Sequence, residues 1–151
     1  MKRFNIRVYG IWINDNNEIL VSDERIGDFR FTKFPGGGLE FGEGIRDCLI
    51  REWMEELNLA IEVKDHIYTT DFFQISAFDN FSQIISVYYK VQPIMNGMPA
   101  IELKSKPFDF TEEGKEEVLF RMIPINQFSE DAVTLPIDKI VAEMIRNMGS
   151  G

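Results

Sequence analysis

The chain has 151 residues, with 16 basic against 25 acidic side chains and a formal net charge of −9. That length suits one compact domain with a real core, and we expect a single domain over residues 1–151. The charge argues against unaided binding of a nucleic acid polymer, which needs Lys and Arg against phosphates, but not against a small phosphorylated substrate bridged by metal cations.

The opening stretch MKRFNIRVYG turns polar too soon for a signal peptide, and no apolar run approaches membrane-spanning length. The single cysteine, Cys48, cannot form an internal disulfide, so a reducing, cytoplasmic setting with no membrane partner is expected. FNIRVYGIWI, Phe4 to Ile13, alternates and then becomes apolar throughout, as a strand entering a core does. NDNNE is a turn cluster, and ILVSDER reads as the returning strand of a hairpin. Gly27 to Gly44 reads as loop, and a helix fits Ile45 to Leu57, with Asn58 taking the left-handed position after it. HIYTTDFFQISAF and FSQIISVYYKVQPI are strand-like, with FDN as a hairpin turn between them. PFDFTEEGKEE is an acidic loop before the strand VLFRMIPI. In TLPIDKIVAEMIRNM, Thr134 is a candidate cap and Pro136 falls near the first turn. Ile137, Ile140, Val141, Met144 and Ile145 then form an apolar stripe. The expected class is α+β: a mixed, mostly antiparallel sheet with two main helices, layered α/β/α.

The first helix poses a chemical problem. Glu52, Glu55 and Glu56 crowd its second half, and like charges at i,i+3 and i,i+4 destabilise a helix by a few tenths of a kcal/mol each. An acidic run is ordinarily a solvated face. On a helical wheel, however, Glu52 and Glu56 continue the stripe of Ile45 and Leu49, and Arg51 reaches Glu55 but is one cation for three acids. Closely spaced, partly buried carboxylates either take up protons or hold a metal. Oxygen-only donors on a fixed backbone suit a hard cation, Mg²⁺ or Mn²⁺, and the metal is the reading we prefer. The loop PGGGLEFGEG before the helix allows close backbone approach and can offer carbonyl oxygens to a cation. It has neither the P-loop nor the dinucleotide spacing.

Together these residues resemble the Nudix box. Gly37 is followed by five residues and Glu43. Seven more lead to Arg51-Glu52, Trp53 takes the apolar position, Glu55-Glu56 complete the acids, and Leu59 closes the pattern. Asn58 stands where the box has glycine, and Trp53 is bulkier than the usual aliphatic residue. The resemblance implies a Nudix-like fold and a metal-dependent pyrophosphohydrolase acting on a nucleoside diphosphate linked to another group. It implies Glu52, Glu55 and Glu56 as metal ligands, with the Gly37 carbonyl and Glu40 as further ones, and Glu52 and Glu55 as catalytic residues. Glu43 and Arg51 would shape loop and helix. The motif leaves the general base open between Glu52 and Glu112, Glu113, Glu116 or Glu117 of the acidic loop; Glu52 is preferred, because a helix holds a carboxylate at a fixed distance from the metal. The alternative is a non-catalytic, nucleotide-binding regulatory module, disfavoured because all three box glutamates are present.

Outside the box, Arg30 and Lys33 are candidates for substrate phosphates, and Phe72 for stacking on a base. His66 and Cys48 are expected to be structural. The proline that one ADP-ribose subgroup carries beyond the box is replaced near Ile75, and the NADH-type SQPWPFP signature is missing. Both tilt the substrate toward a nucleoside triphosphate or another nucleotide derivative, with ADP-ribose and nucleotide sugars still open. The expected partner is thus a small-molecule nucleotide, with room for a homodimer.

Overall fold

A computed structural model of the chain describes residues 1–94, 101–111 and 116–149. Its strands are β1 (Arg3–Ile11), β2 (Glu18–Ile26), β3 (Phe29–Lys33), β4 (Gly36–Gly38), β5 (Ile61–Thr69), β6 (Ser82–Pro93), β7 (Leu103–Lys104) and β8 (Glu117–Pro124). The helices are α1 (Ile45–Leu57) and α2 (Pro136–Gly149). The class is α+β as expected, but among the described residues the strands form two four-stranded sheets, both mixed, instead of one. No described helix is long and apolar enough to cross a membrane.

The chain folds as two compact units. The first comprises Met1–Ile11 and Pro35–Ala100. Its sheet runs β4-β1-β6-β5, with β1 antiparallel to the edge strand β4 and parallel to β6. Successive side chains of a strand point to opposite faces, and β1 uses both. A Cβ on Gly10 would meet the Trp53 indole at 2.8–3.0 Å, so the Gly10 face of β1 receives α1. Trp53, fully buried, donates Nε1 to the Pro35 carbonyl at 3.2 Å, and the Gly10 amide donates to the same oxygen at 2.9 Å. A tryptophan therefore fits where a smaller residue is usual because the strand beneath it gives up its side chain. Removing such a ring costs roughly 3–5 kcal/mol.

The second unit comprises Trp12–Phe34 and Ile101–Gly151, with sheet order β3-β2-β8-β7. Its buried centre is Asp23, whose carboxylate accepts from Thr32 Oγ1 (2.7 Å), Arg121 Nε (2.8 Å) and Nη2 (2.9 Å), and the Phe108 amide (3.2 Å). A buried charge survives only when so matched.

Several expectations are corrected. The β1–β2 hairpin shrinks to one bridge, Ile13↔Ile19, because β1 pairs with β4 and β6 while β2 pairs with β3 and β8. The stretch read as loop from Gly27 holds β3 and β4. The strand β5 starts earlier and ends at Thr69, so residues 70–81 connect it to β6 and FDN is only the last part of that connection. There Asp79 Oδ1 accepts from the amides of Phe81 (3.0 Å) and Ser82 (2.7 Å). Thr134 does not cap α2. Its hydroxyl accepts from the Thr32 amide at 2.8 Å, and the helix starts at Pro136. On α2, Ile137, Val141 and Ile145 are buried, whereas Ile140 is exposed and Asp138 takes a buried place.

Candidate active site

The site is built from β4, the loop after it, and α1, all within the first unit. Gly36 has φ +157°, and a Cβ there would lie 2.0 Å from the Val8 carbonyl, so only glycine allows β4 to hug β1. The register is Arg7↔Gly38, Val8↔Gly37 and Tyr9↔Gly36. A Cβ on Gly37 would fall 2.3–2.5 Å from the Glu52 carboxylate. The missing side chain is thus the space in which that carboxylate lies.

The helix α1 spans the expected residues, and Asn58 closes it with φ 52° and ψ 41°, its amide donating to the Met54 carbonyl. Cys48, Leu49, Trp53 and Leu57 are its buried residues. Glu52 is sunk at the margin of that face, its side chain 14% exposed, while that of Glu55 is 59% exposed. Glu56, expected on the core-facing stripe, is exposed, because the buried face centres on Leu49 and Trp53.

Arg51 overturns a second expectation. One arginine does serve several acids here, because the loop folds back over the helix. Its Nε and Nη2 donate to the two oxygens of Glu43 at 2.9 and 2.7 Å, a bidentate fork. Its Nη1 donates to Glu52 Oε1 at 3.0 Å and Glu55 Oε2 at 3.2 Å, and lies 3.8 Å from Glu40 Oε1. Nη2 also reaches the Gly38 carbonyl at 3.1 Å. One guanidinium thus ties β4, the loop and α1 together. That bond to Arg51, together with the Glu40 amide, holds the Glu43 carboxyl at about 2 instead of 4.5. The Glu43 carboxylate in turn raises the Arg51 pKa still further. Cys48, fully buried beneath this cluster with Sγ 3.5 Å from the Gly38 carbonyl, has its thiol pushed up to about 12 by burial and by the neighbouring Glu43.

With the carboxylates drawn to Arg51, no three His, Cys, Asp or Glu side chains among the described residues are arranged as a metal cluster. The donor set still fits a hard cation. Arg51 takes one oxygen each from Glu52 and Glu55, the second oxygen of each lies outside those bonds, and every donor is oxygen. A cleft of about 350 Å³ opens beside Glu40, lined also by Arg3, Phe4, Asn5, Ile6, Leu39 and Phe41.

The fold places Gly37, Glu40, Glu52, Glu55 and Glu56 on these neighbouring elements of one unit. Phe72 belongs to that unit too, on the connection after β5, and is partly exposed. Lys33 is buried in the second unit, its ammonium 2.9 Å from Glu24 and 3.2 Å from the Phe34 carbonyl. Arg30, exposed, lies over the Phe110 ring at 5.8 Å. Glu117 accepts from the Thr111 amide (3.3 Å) and lies 3.6 Å from Arg25, and Glu116 is exposed. Glu112 and Glu113 fall outside the described residues. His66 contacts Thr69 Oγ1 at 2.7 Å and the edge of Tyr89, in keeping with a structural role. Two residues of this region carry no sequence signal by themselves: Gly10, which seats Trp53, and Arg7, opposite Gly38. Only the strand register exposes them.

Known proteins share this fold. The NUDIX domain family matches residues 3–144. A MutT protein of Methanosarcina mazei Go1 superposes with a TM-score of 0.69 at 15% identity, covering 99% of this chain and 98% of that one. A MutT of the Nudix hydrolase family from methicillin-resistant Staphylococcus aureus 252 gives 0.59 at 24% identity, covering 99% and 100%. An ADP-ribose pyrophosphatase of Streptococcus suis 89-1591 gives 0.53 at 13% identity, covering 97% and 91%. At these identities the structural likeness speaks to the fold.

Proposed function

The chain belongs to the NUDIX family, whose hydrolases split phosphorus anhydrides of small nucleotides with divalent cations, and on that premise we propose that it is a metal-dependent pyrophosphohydrolase. Its substrate is a nucleoside diphosphate joined to another group, a nucleoside triphosphate ahead of ADP-ribose or a nucleotide sugar. The observation that carries this reading is the Glu52 carboxylate lodged over Gly37 and steadied by Arg51.

Glu52, Glu55 and Glu56 would hold Mg²⁺ or Mn²⁺, with Glu40 and the Gly37 carbonyl as further donors. Such a cation neutralises phosphate oxygens and lowers the pKa of a bound water. The protein's own contribution is position. Glu43 fixes Arg51, Arg51 fixes one oxygen of Glu52, and Glu52 takes the proton from the attacking water. A carboxylate on a packed helix keeps its distance better than one on a loop. That is why Glu52 is preferred as base over Glu112, Glu113, Glu116 and Glu117.

The test is release of phosphate or pyrophosphate across a panel of nucleotides, with Mg²⁺, with Mn²⁺ and with EDTA. Turnover with metal and none with EDTA is expected, and Glu55→Gln and Glu56→Gln each lose at least about a hundredfold, because metal charge is removed and packing is not. Near-wild-type rates in both variants would end the assignment.

A further inference from the structure

The strand β1 runs past its edge partner β4. Pairing ends at Arg7↔Gly38, and the Leu39 amide then donates to the Ile6 carbonyl at 2.8 Å. Beyond that bond lies the cleft of about 350 Å³, whose walls include Phe4, Ile6, Leu39 and Phe41, a volume in the range of small-ligand pockets. Two of these are rings turned to solvent: Phe4 is 68% exposed and Phe41 is fully exposed. Phe41 is nevertheless held on a fixed backbone. Its turn is closed by the Glu43 amide on the Glu40 carbonyl at 3.3 Å and by the Glu40 amide on Glu43 Oε1 at 2.9 Å, and Arg51 grips Glu43 in turn. Asn5 lines the same cleft, its Oδ1 4.0 Å from the place a Gly38 Cβ would take. Among the described residues the Asn5 carboxamide has no hydrogen-bond partner. The one cation among the residues lining the cleft, Arg3, gives Nε to Ser82 Oγ at 3.1 Å and lies over the Phe81 ring at 5.4 Å. Glu40 borders the cleft too and lies 3.8 Å from Arg51 Nη1, the group that also holds Glu52 and Glu55.

We propose that this cleft is the nucleobase subsite: the base of the substrate stacks on Phe41 and against Phe4, and Asn5 reads its hydrogen-bonding edge. This rests on the pyrophosphohydrolase reading for the diphosphate that the base carries. A phosphate is a poor occupant, because Arg3 is engaged elsewhere and Glu40 contributes a negative charge. A base is neutral, and every base has a π face that an exposed aromatic ring can cover without regard to sequence. A carboxamide sets a donor beside an acceptor, which matches a base edge that does the same. Because Glu40 borders both the cleft and the carboxylates around Arg51, a base here has its phosphates beside the metal-binding acids. Phe41 takes the stacking role that the sequence suggests for Phe72. Phe72 is not among the residues lining this cleft, and the connection that carries it bridges β6, through Ile75↔Gln83, on the side away from β1.

The experiment is calorimetric titration, in Mg²⁺, of α,β-methylene analogues of the four ribonucleoside triphosphates and of ADP-ribose. Methylenediphosphonate is the base-free control, and thermal melts check that each variant folds. Phe41→Ala should weaken the best-bound analogue about 5–150-fold, the range for losing one base–aromatic stack, and leave methylenediphosphonate unchanged. Phe41→Trp, which keeps a π face, should restore tight binding. Asn5→Leu should flatten the ranking of the four triphosphate analogues, because the edge contact is lost and the stack is not. If Asn5→Leu does not fold, Asn5→Asp replaces it and should reorder the ranking, since a carboxylate accepts but does not donate. An affinity unchanged in Phe41→Ala, an equal loss for methylenediphosphonate, or a wild type that binds the analogues no better than methylenediphosphonate would overturn the subsite. A ranking that survives both Asn5 variants would overturn the reading of the edge. Binding that needs Phe41 in a protein without turnover would support the proposal and refute the hydrolase reading. Turnover whose KM Phe41→Ala leaves untouched would do the reverse.

Discussion

Replacing Gly37 by alanine tests the site where its geometry is tightest. The new Cβ would stand 2.3–2.5 Å from the Glu52 carboxylate, so that group has to retreat by about 1 Å to reach ordinary contact. Gly37 is not among the glycines with positive φ, so alanine fits the backbone without strain there. The obstacle is the far end of a side chain, which can swing, so the fold should survive and the melting temperature move by only a few degrees. Alanine even gains a little from the unfolded state, about 0.4–1 kcal/mol. Catalysis has no such latitude. A misplacement of about 1 Å costs on the order of 10²-fold, and here it falls on the carboxylate assigned both to the metal and to the water. We expect kcat at saturating nucleotide and Mg²⁺ to drop about a hundredfold in Gly37→Ala. In Gly38→Ala, where the nearest atom to the Cβ is 3.4 Å away, the loss should be much smaller. A thermal melt run beside the kinetics separates misplacement from unfolding. If Gly37→Ala folds and keeps kcat within threefold of the wild type, Glu52 does not act from the position it occupies over the glycine, and the reasoning fails.

What could be read from the residues and what could not divide along the range of the forces involved. The helix α1 and its left-handed Asn58 are local: apolar spacing, a glycine before and an αL-tolerant residue after decide them within a few turns. The strand β4 is the opposite case. Three glycines have no strand propensity, and they become a strand only because β1 pairs with them. The parallel partnership of β1 with β6 joins Arg3 to Ser82, and nothing near either residue announces it. For the same reason the single sheet became two. Hairpins are inferred from neighbours in sequence, and β1 and β2 each chose distant partners.

The acids of α1 show the same limit on a smaller scale. A wheel places Glu52 and Glu56 relative to the helix axis, but cannot see the loop that folds back across it. That loop brings Glu43 within hydrogen-bonding distance of Arg51 and Glu40 to within 3.8 Å, so a cluster that looked starved of cations has one arginine at its centre. The repulsion inferred among the glutamates is therefore partly met inside the protein. The buried margin that holds Glu52, not the count of acids, then becomes the stronger pointer to chemistry.

Three further measurements probe the cluster from different sides. Cys48 should resist a thiol reagent at pH 8 until the protein is denatured, since burial pushes its pKa to about 12 and the thiolate is the reactive form; rapid native labelling would contradict the packing. Glu43 has a folded-state pKa of about 2 against 4.5, so the stability it contributes is complete above 4.5 and is lost as pH falls toward 2. The melting-temperature gap between wild type and Glu43→Gln should therefore narrow below pH 4.5 and close near pH 2, and a gap constant over that range would refute the pairing with Arg51. The identity of the base is decided by glutamine variants of Glu52, Glu112, Glu113, Glu116 and Glu117, assayed at saturating Mg²⁺. Glu52→Gln keeps an oxygen for Arg51 but cannot accept a proton, and should lose about 10²–10⁴-fold. Glu117→Gln, which mainly loosens contacts to Thr111 and Arg25, should cost little activity. A collapse confined to one of the four loop variants would move the base off the helix, while the metal ligands on α1 would keep their assignment, because removing their charge is a separate loss with its own dependence on Mg²⁺.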